Sequence, residues 1–140
     1  MIDLSKSINE IKKLSNSDTD FESSLVINVQ KILNKPVKDL SNEDLRLLVN
    51  QNIFLDIIIP LCIERLQVNI LLEGDYYEGD LLAGILRSDV NYWKNNKEYW
   101  LDIINIFNNN IELLKNRKVS DEIKNLWFDS YDNFLTIYKQ

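Results

Sequence analysis

Residues 53–68 read Ile53-Phe-Leu-Asp-Ile-Ile-Ile-Pro-Leu-Cys-Ile-Glu-Arg-Leu-Gln-Val68, an apolar run broken mainly by Asp56, Pro60, Glu64 and Arg65. On a helix these apolar residues cover nearly every side, which predicts a central element surrounded by other helices. The run is shorter than the roughly 20 residues that cross a bilayer and it carries charge, so a core helix is expected and not a membrane anchor. Pro60 leaves two possibilities open, a kink or a division into two helices. Cys62 lies between Leu61 and Ile63 and is expected to be a buried thiol behaving as a small hydrophobe. It is the only cysteine, which excludes an intramolecular disulfide. Asp56 and Glu64 would stand roughly 12 Å apart along a helix axis, too far to share a water, so pairing with Arg46 or Arg65 is expected of them.

Outward from this run, both directions read as helix. Ser41 followed by Asn42, Glu43 and Asp44 supplies an N-cap and an acidic first turn, and Leu45, Leu48 and Val49 supply a buried stripe. Nearer the start, Ser7 and Glu10 have capping-box spacing ahead of a short amphipathic helix ending near Ser15. Thr19 and Glu22 repeat that spacing, and Phe21, Leu25, Val29, Ile32 and Leu33 share a face until Pro36 ends the helix. On the other side, Leu81, Leu82, Ile85 and Leu86 resume the helical period after Asp80. Asn95 and Glu98 form another capping pair before Trp100, Ile103, Ile104, Phe107, Ile111 and Leu114. Ser120, Asp121 and Glu122 open the last helix, whose contacts are Ile123, Trp127, Tyr131, Phe134, Leu135 and Tyr138. Trp93, Trp100, Phe107 and Leu114 are spaced by seven, which predicts a core stripe rather than a base-stacking platform. With only three Gly and two Pro in 140 residues, tight turns are scarce. The expectation is one all-α domain over residues 1–140, a compact bundle of about six to seven helices around the central apolar one.

The chemistry a catalyst needs is thin. The chain has no histidine, which removes the commonest general base and the commonest metal ligand together. No thiolate zinc cluster, Gly-rich phosphate cradle, nucleophile elbow or dinucleotide fingerprint occurs. The net charge of −6 opposes direct binding to nucleic acid. A signal peptide is not expected from the amino-terminal residues, so cytoplasmic residence is the default. Lys115, Arg117 and Lys118 form the only local basic cluster, explained by a position at a helix C-terminus.

One segment stands apart. Residues 66–86 contain four acids, Glu73, Asp75, Glu78 and Asp80, and no base, so they carry −4 of the chain's −6. All three glycines, Gly74, Gly79 and Gly84, fall there as well. A glycine-flanked, acidic loop with Tyr76 and Tyr77 between the carboxylates suits a basic macromolecular partner, because aromatic anchors supply binding energy while rim charges steer association. The plainer alternative is a solvated loop whose tyrosines pack inward. The spacing does not match a helix-loop-helix calcium site.

The words around that loop resemble a known family. Asp44-Leu-Arg-Leu-Leu-Val-Asn-Gln-Asn, then Ile59-Pro60-Leu61, then Glu73-Gly-Asp-Tyr-Tyr-Glu-Gly-Asp-Leu-Leu are similar, in order and spacing, to the core pattern of immunity proteins of contact-dependent growth inhibition (CDI) systems. The resemblance covers roughly residues 38–100, with landmarks at Arg46, Gln51, Pro60, Tyr77, Gly79, Asp80, Leu81 and Leu82; Glu78 departs from it, standing where relatives carry proline. It implies a cytoplasmic helical protein, without enzymatic activity or cofactor, that binds and neutralises the C-terminal toxin domain of its cognate CDI effector, commonly a nuclease. It also implies no direct nucleic-acid or membrane partner, and the free chain is expected to be a monomer or weak dimer. Partner-binding candidates are Glu73, Asp75, Tyr76, Tyr77, Glu78 and Asp80; Arg46 and Gln51 are expected to join Asp80 in a structural polar network. Two other readings stay open: a carboxylate-dependent, metal-binding hydrolase using residues 73–80, and a helical adaptor with no toxin partner.

Overall fold

The computed structural model describes residues 2–13 and 24–139. Polar residues set most of the helix starts. Helix α1 (Ile8–Lys12) is opened by Ser7, whose hydroxyl accepts the Glu10 amide while the Glu10 carboxylate accepts the Ser7 amide. Helix α2 (Ser24–Leu33) stops ahead of Pro36, and a 3₁₀ turn (Val37–Asp39) leads to α3 (Asn42–Asn50). Ser41 and Asp44 form the capping box of α3, satisfying two amides that the helix itself leaves without partners. Ser120 likewise caps α9 (Asp121–Leu135) through the Ile123 amide. Residues 14–23, which include Leu14, Ser15, Thr19, Phe21 and Glu22, and the side chain of Leu25 lie outside the described residues.

Helix α4 (Leu55–Val68) runs undivided through Pro60. Leu55, Ile57, Ile58, Ile59, Cys62, Ile63 and Leu66 are buried along it, each large apolar side chain contributing about 1.5–3 kcal/mol by leaving water. Burial pushes the Cys62 thiol up to about 12, so it stays protonated and packs as a hydrophobe. Neither expected partner of the α4 acids is used. Asp56 pairs with Lys12 at 2.6 Å, and Arg65 instead donates to the Leu40 carbonyl at 2.5 Å and to Asn42 Oδ1 at 3.1 Å, while Glu64 stays exposed. The reason is the turn between α2 and α3, whose free carbonyl lies within reach of Arg65.

The second half of the chain is cut more finely than its period predicts. Helices α5 (Asp80–Leu86), α6 (Val90–Lys94), α7 (Lys97–Asn109) and α8 (Ile111–Asn116) precede α9, which ends in a 3₁₀ turn (Thr136–Tyr138). Among the described residues there are therefore nine α-helices and no strand, an all-α fold with more and shorter pieces than six or seven. The Asn95–Glu98 capping box does not form. Asn95 closes α6 and bonds back to the Asn91 carbonyl, and Asn96 takes the N-cap position of α7. Asn110 breaks the next stretch in the same way, bonding back to the Ile106 carbonyl at 2.7 Å. Asparagine competes for local backbone groups and so favours helix ends over interiors.

The seven-spaced stripe is core: Trp93, Trp100, Phe107 and Leu114 are all buried. Trp93 meets Phe134 edge to face at 4.9 Å, and Phe107 stacks on Tyr131 at 3.7 Å, joining α6 and α7 to α9. Their polar edges are satisfied, Trp93 by Ser88 and Trp100 by the Phe134 carbonyl. Helix α3 packs on α4 and α5, α5 also on α9, and α4 on α7. Helix α4 is a core element as its composition requires, yet α5 is the more enclosed, every residue but Gly84 being buried. No helix among the described residues is long and apolar enough to cross a membrane.

Candidate functional site

Residues 69–79 leave α4, cross the end of α3 and turn into α5. Asp80 holds this loop from beneath. Its carboxylate, almost fully buried, accepts the Gly74 amide at 2.6 Å and the Tyr76 amide at 3.1 Å. Glu43 holds it from the side, accepting the Asp75 amide at 2.9 Å while clasping Arg46 through two bonds of 2.6 Å. Arg46 then lies 4.0 Å from Asp80 and its guanidinium sits under the Tyr76 ring at 4.4 Å. The bidentate bond from Arg46, followed by the Asp75 amide, holds the Glu43 carboxyl below the ordinary glutamate range against the opposing effect of burial.

The glycines are spatial requirements of this lattice. A Cβ on Gly74 would stand 2.6 Å from Glu43 Oε1 and 3.1 Å from Asp80 Oδ2. Gly79 has φ +76°, and a Cβ there would stand 2.5 Å from Nε1 of Trp127, which α9 places against the loop. That indole nitrogen is buried without a hydrogen-bond partner among the described residues. From the far side, Arg117 clasps Glu78 through two bonds of 2.8 Å.

The six candidates of the acidic segment thus separate by position. Glu73 and Asp75 are exposed, and Tyr76 is 69% exposed. Tyr77 is half-buried and packs against the core, burial keeping its hydroxyl above the ordinary tyrosine range. Asp80 is 4% exposed, so it shapes the surface and does not present itself on it. Glu78 is occupied by Arg117, which corrects the view of the basic cluster as a helix-end feature alone. The expected network of Arg46, Gln51 and Asp80 is also corrected. Gln51 closes α3 as an exposed C-cap, and Glu43 fills the role given to it. Sequence reasoning passed over Glu43, Arg117 and Trp127; Glu43, one turn before Arg46, carried the only local signal.

Between α3 and α5, under the two tyrosines, lies a pocket of about 380 Å³ lined by Arg46, Asn50, Tyr76, Tyr77, Asp80 and Arg87, among others. Asp80 in its wall is taken up by two loop amides, and the nearby Glu43 by one amide and Arg46. Among the described residues no three acidic or thiol side chains converge as a metal site would require. The arrangement is a loop whose backbone is fixed by side-chain hydrogen bonds, with one exposed aromatic ring and two exposed carboxylates beside a polar pocket.

No curated protein and no solved structure matches the chain. A family model does, over residues 10–103, which include α3, α4, the whole loop and α5 and leave Arg117 and Trp127 beyond the match. That family is described as CDI immunity proteins, and with more than half of the 140 residues matched, the chain belongs to it.

Proposed function

We propose that the chain neutralises the C-terminal toxin domain of its cognate CDI effector by docking the face formed by Glu73, Asp75, Tyr76 and Tyr77 onto it. The observation that carries this reading is the state of the loop: its backbone is pinned by Asp80 and Glu43 while Tyr76 projects into solvent. A large aromatic on a rigid support loses little conformational freedom on binding, which is the condition for an interface anchor. The carboxylates of Glu73 and Asp75 are exposed and have no partner among the described residues, so their field is available to steer a basic surface. A nuclease toxin fits that chemistry, since a surface built to hold phosphates is basic. The chain acts here by binding and not by catalysis, and residence in the cytoplasm, where such a toxin would act, completes the reading.

The test is binding between the purified chain and the C-terminal domain of the cognate CDI effector, followed by a growth-protection assay. Association is expected to slow with added salt, and Asp75→Lys with Glu73→Lys is expected to slow it further while the melting temperature holds. An association rate indifferent to both would remove this face from the interface. A metal-dependent hydrolase would instead show a melting temperature raised by magnesium, calcium or manganese.

A further inference from the structure

The pocket between α3 and α5 has a charge arrangement opposite to that of the loop above it. Of the four arginines, Arg46 is clasped by Glu43, Arg65 is bound to Leu40 and Asn42, and Arg117 is clasped by Glu78. Arg87 is the exception. It stands at the C-cap of α5, exposed, on the pocket wall, with no side-chain hydrogen bond or ion pair among the described residues. The acid that shares the pocket is already occupied, since both oxygens of Asp80 accept loop amides and Oδ2 also faces Arg46. Ser88 is occupied too, accepting from Trp93 and donating to the Ile85 carbonyl. Tyr77 remains protonated at neutral pH, because burial and then Asp80 hold its hydroxyl up more than Arg87 and Arg46 draw it down. Asn50 completes the wall, its Oδ1 resting where a Cβ on Gly84 would come within 2.6 Å.

The charged group left without a counterpart is therefore a guanidinium, and a forked donor matches a planar carboxylate. We propose that this pocket is a socket for a single aspartate or glutamate side chain presented by the toxin domain, received by Arg87 with Tyr77 and Asn50 beside it. The proposal rests on the reading of the chain as a toxin-binding immunity protein and adds to it a second, oppositely charged contact. An interface with free acids at one point and a free arginine at another fixes orientation and rejects surfaces of a single sign.

The test measures affinity of wild type, Arg87→Ala and Arg87→Lys for the same effector C-terminal domain, with each exposed Asp and Glu of that domain replaced by Ala in turn. Arg87→Ala is expected to weaken binding at least about tenfold with its melting temperature unchanged, and Arg87→Lys to recover only part of the loss. One toxin carboxylate is expected to be coupled, its replacement costing wild type at least about tenfold and Arg87→Ala almost nothing further. Wild-type affinity in Arg87→Ala, or additive losses for every toxin carboxylate, would overturn the socket while leaving the toxin-binding reading intact. Failure of wild type to bind the domain at all would instead remove that reading and the socket with it. Glutarate and citrate serve as free carboxylate probes. An Arg87-dependent rise in melting temperature with either would mean a small-molecule site and would overturn the assignment to a toxin side chain.

Discussion

Helix α4 and the loop that follows it are neighbours in sequence and opposites in construction. Along α4, Ile58, Ile59 and Cys62 are fully buried, and what holds them is non-directional burial of apolar surface. From Glu73 to Asp80, the hold is a set of aimed bonds: Asp80 to two amides, Glu43 to one amide and Arg46, and Arg117 to Glu78. Burial tolerates changes of pH and salt but not lost volume; aimed bonds tolerate small changes of volume only where no atom is in contact. The helix stabilises the fold through burial, and the loop is held still against that core by its side-chain bonds.

The largest expected effect breaks the helix side of the contrast. Ile58→Ala should cost about 2–5 kcal/mol in denaturant unfolding, yet leave toxin affinity unchanged in the fraction that remains folded. A loss of affinity at full folding would mean that core and surface are coupled. Gly79→Ala attacks the loop with a single methyl group. The left-handed backbone and the collision with Trp127 together should cost about 3 kcal/mol, and toxin binding should fall even under conditions where the protein stays folded. A near-neutral result would show that the indole does not set the loop's position.

Acid titration sharpens the comparison. The Glu43 carboxyl titrates below its ordinary value of 4.5 in the folded protein. Its contribution is therefore complete above about pH 4.5 and disappears as pH falls through the lower folded-state value. Melting curves of wild type and Glu43→Gln should differ at neutral pH and approach each other under acid, whereas Ile58→Ala should stay parallel to wild type throughout. The smallest effect is expected at the exposed clasp. Arg117→Ala should leave the melting temperature nearly unchanged, with whatever difference it makes erased by high salt, because solvent screens an open ion pair. A large, salt-resistant loss would mean that the loop depends on α8 more than its exposed position implies.

What was legible in the sequence follows the reach of each interaction. The capping box at Ser7 and the caps at Ser41 and Ser120 span three residues, and the stripes of α4 and α9 span a few turns, so local pattern was enough. The helix start at Asn95–Asn96 was read to within one residue, but the separate helix α6 before it and the break at Asn110 were missed because the apolar period continues straight across them; a core stripe is shared by three helices that happen to keep register. The acidic, tyrosine-bearing loop was visible as composition. Its internal division was not, since Asp75 meets Glu43 and Glu78 meets Arg117 only after α3, α5, α8 and α9 have packed. Gln51 was placed in the network as a landmark of the family resemblance expected to be buried, but the α3 helix ends at Asn50 and leaves Gln51 at its exposed cap.

On the proposed function, the toxin sits on one surface, the loop from Glu73 to Tyr77 with the pocket beside it. Amide hydrogen exchange of the chain with and without its cognate toxin domain tests this most directly. New protection is expected at residues 73–77 and around Arg87, with the amides of α1 and the core of α4 unchanged. New protection confined to another face, with residues 73–77 exchanging as they do in the free protein, would contradict it.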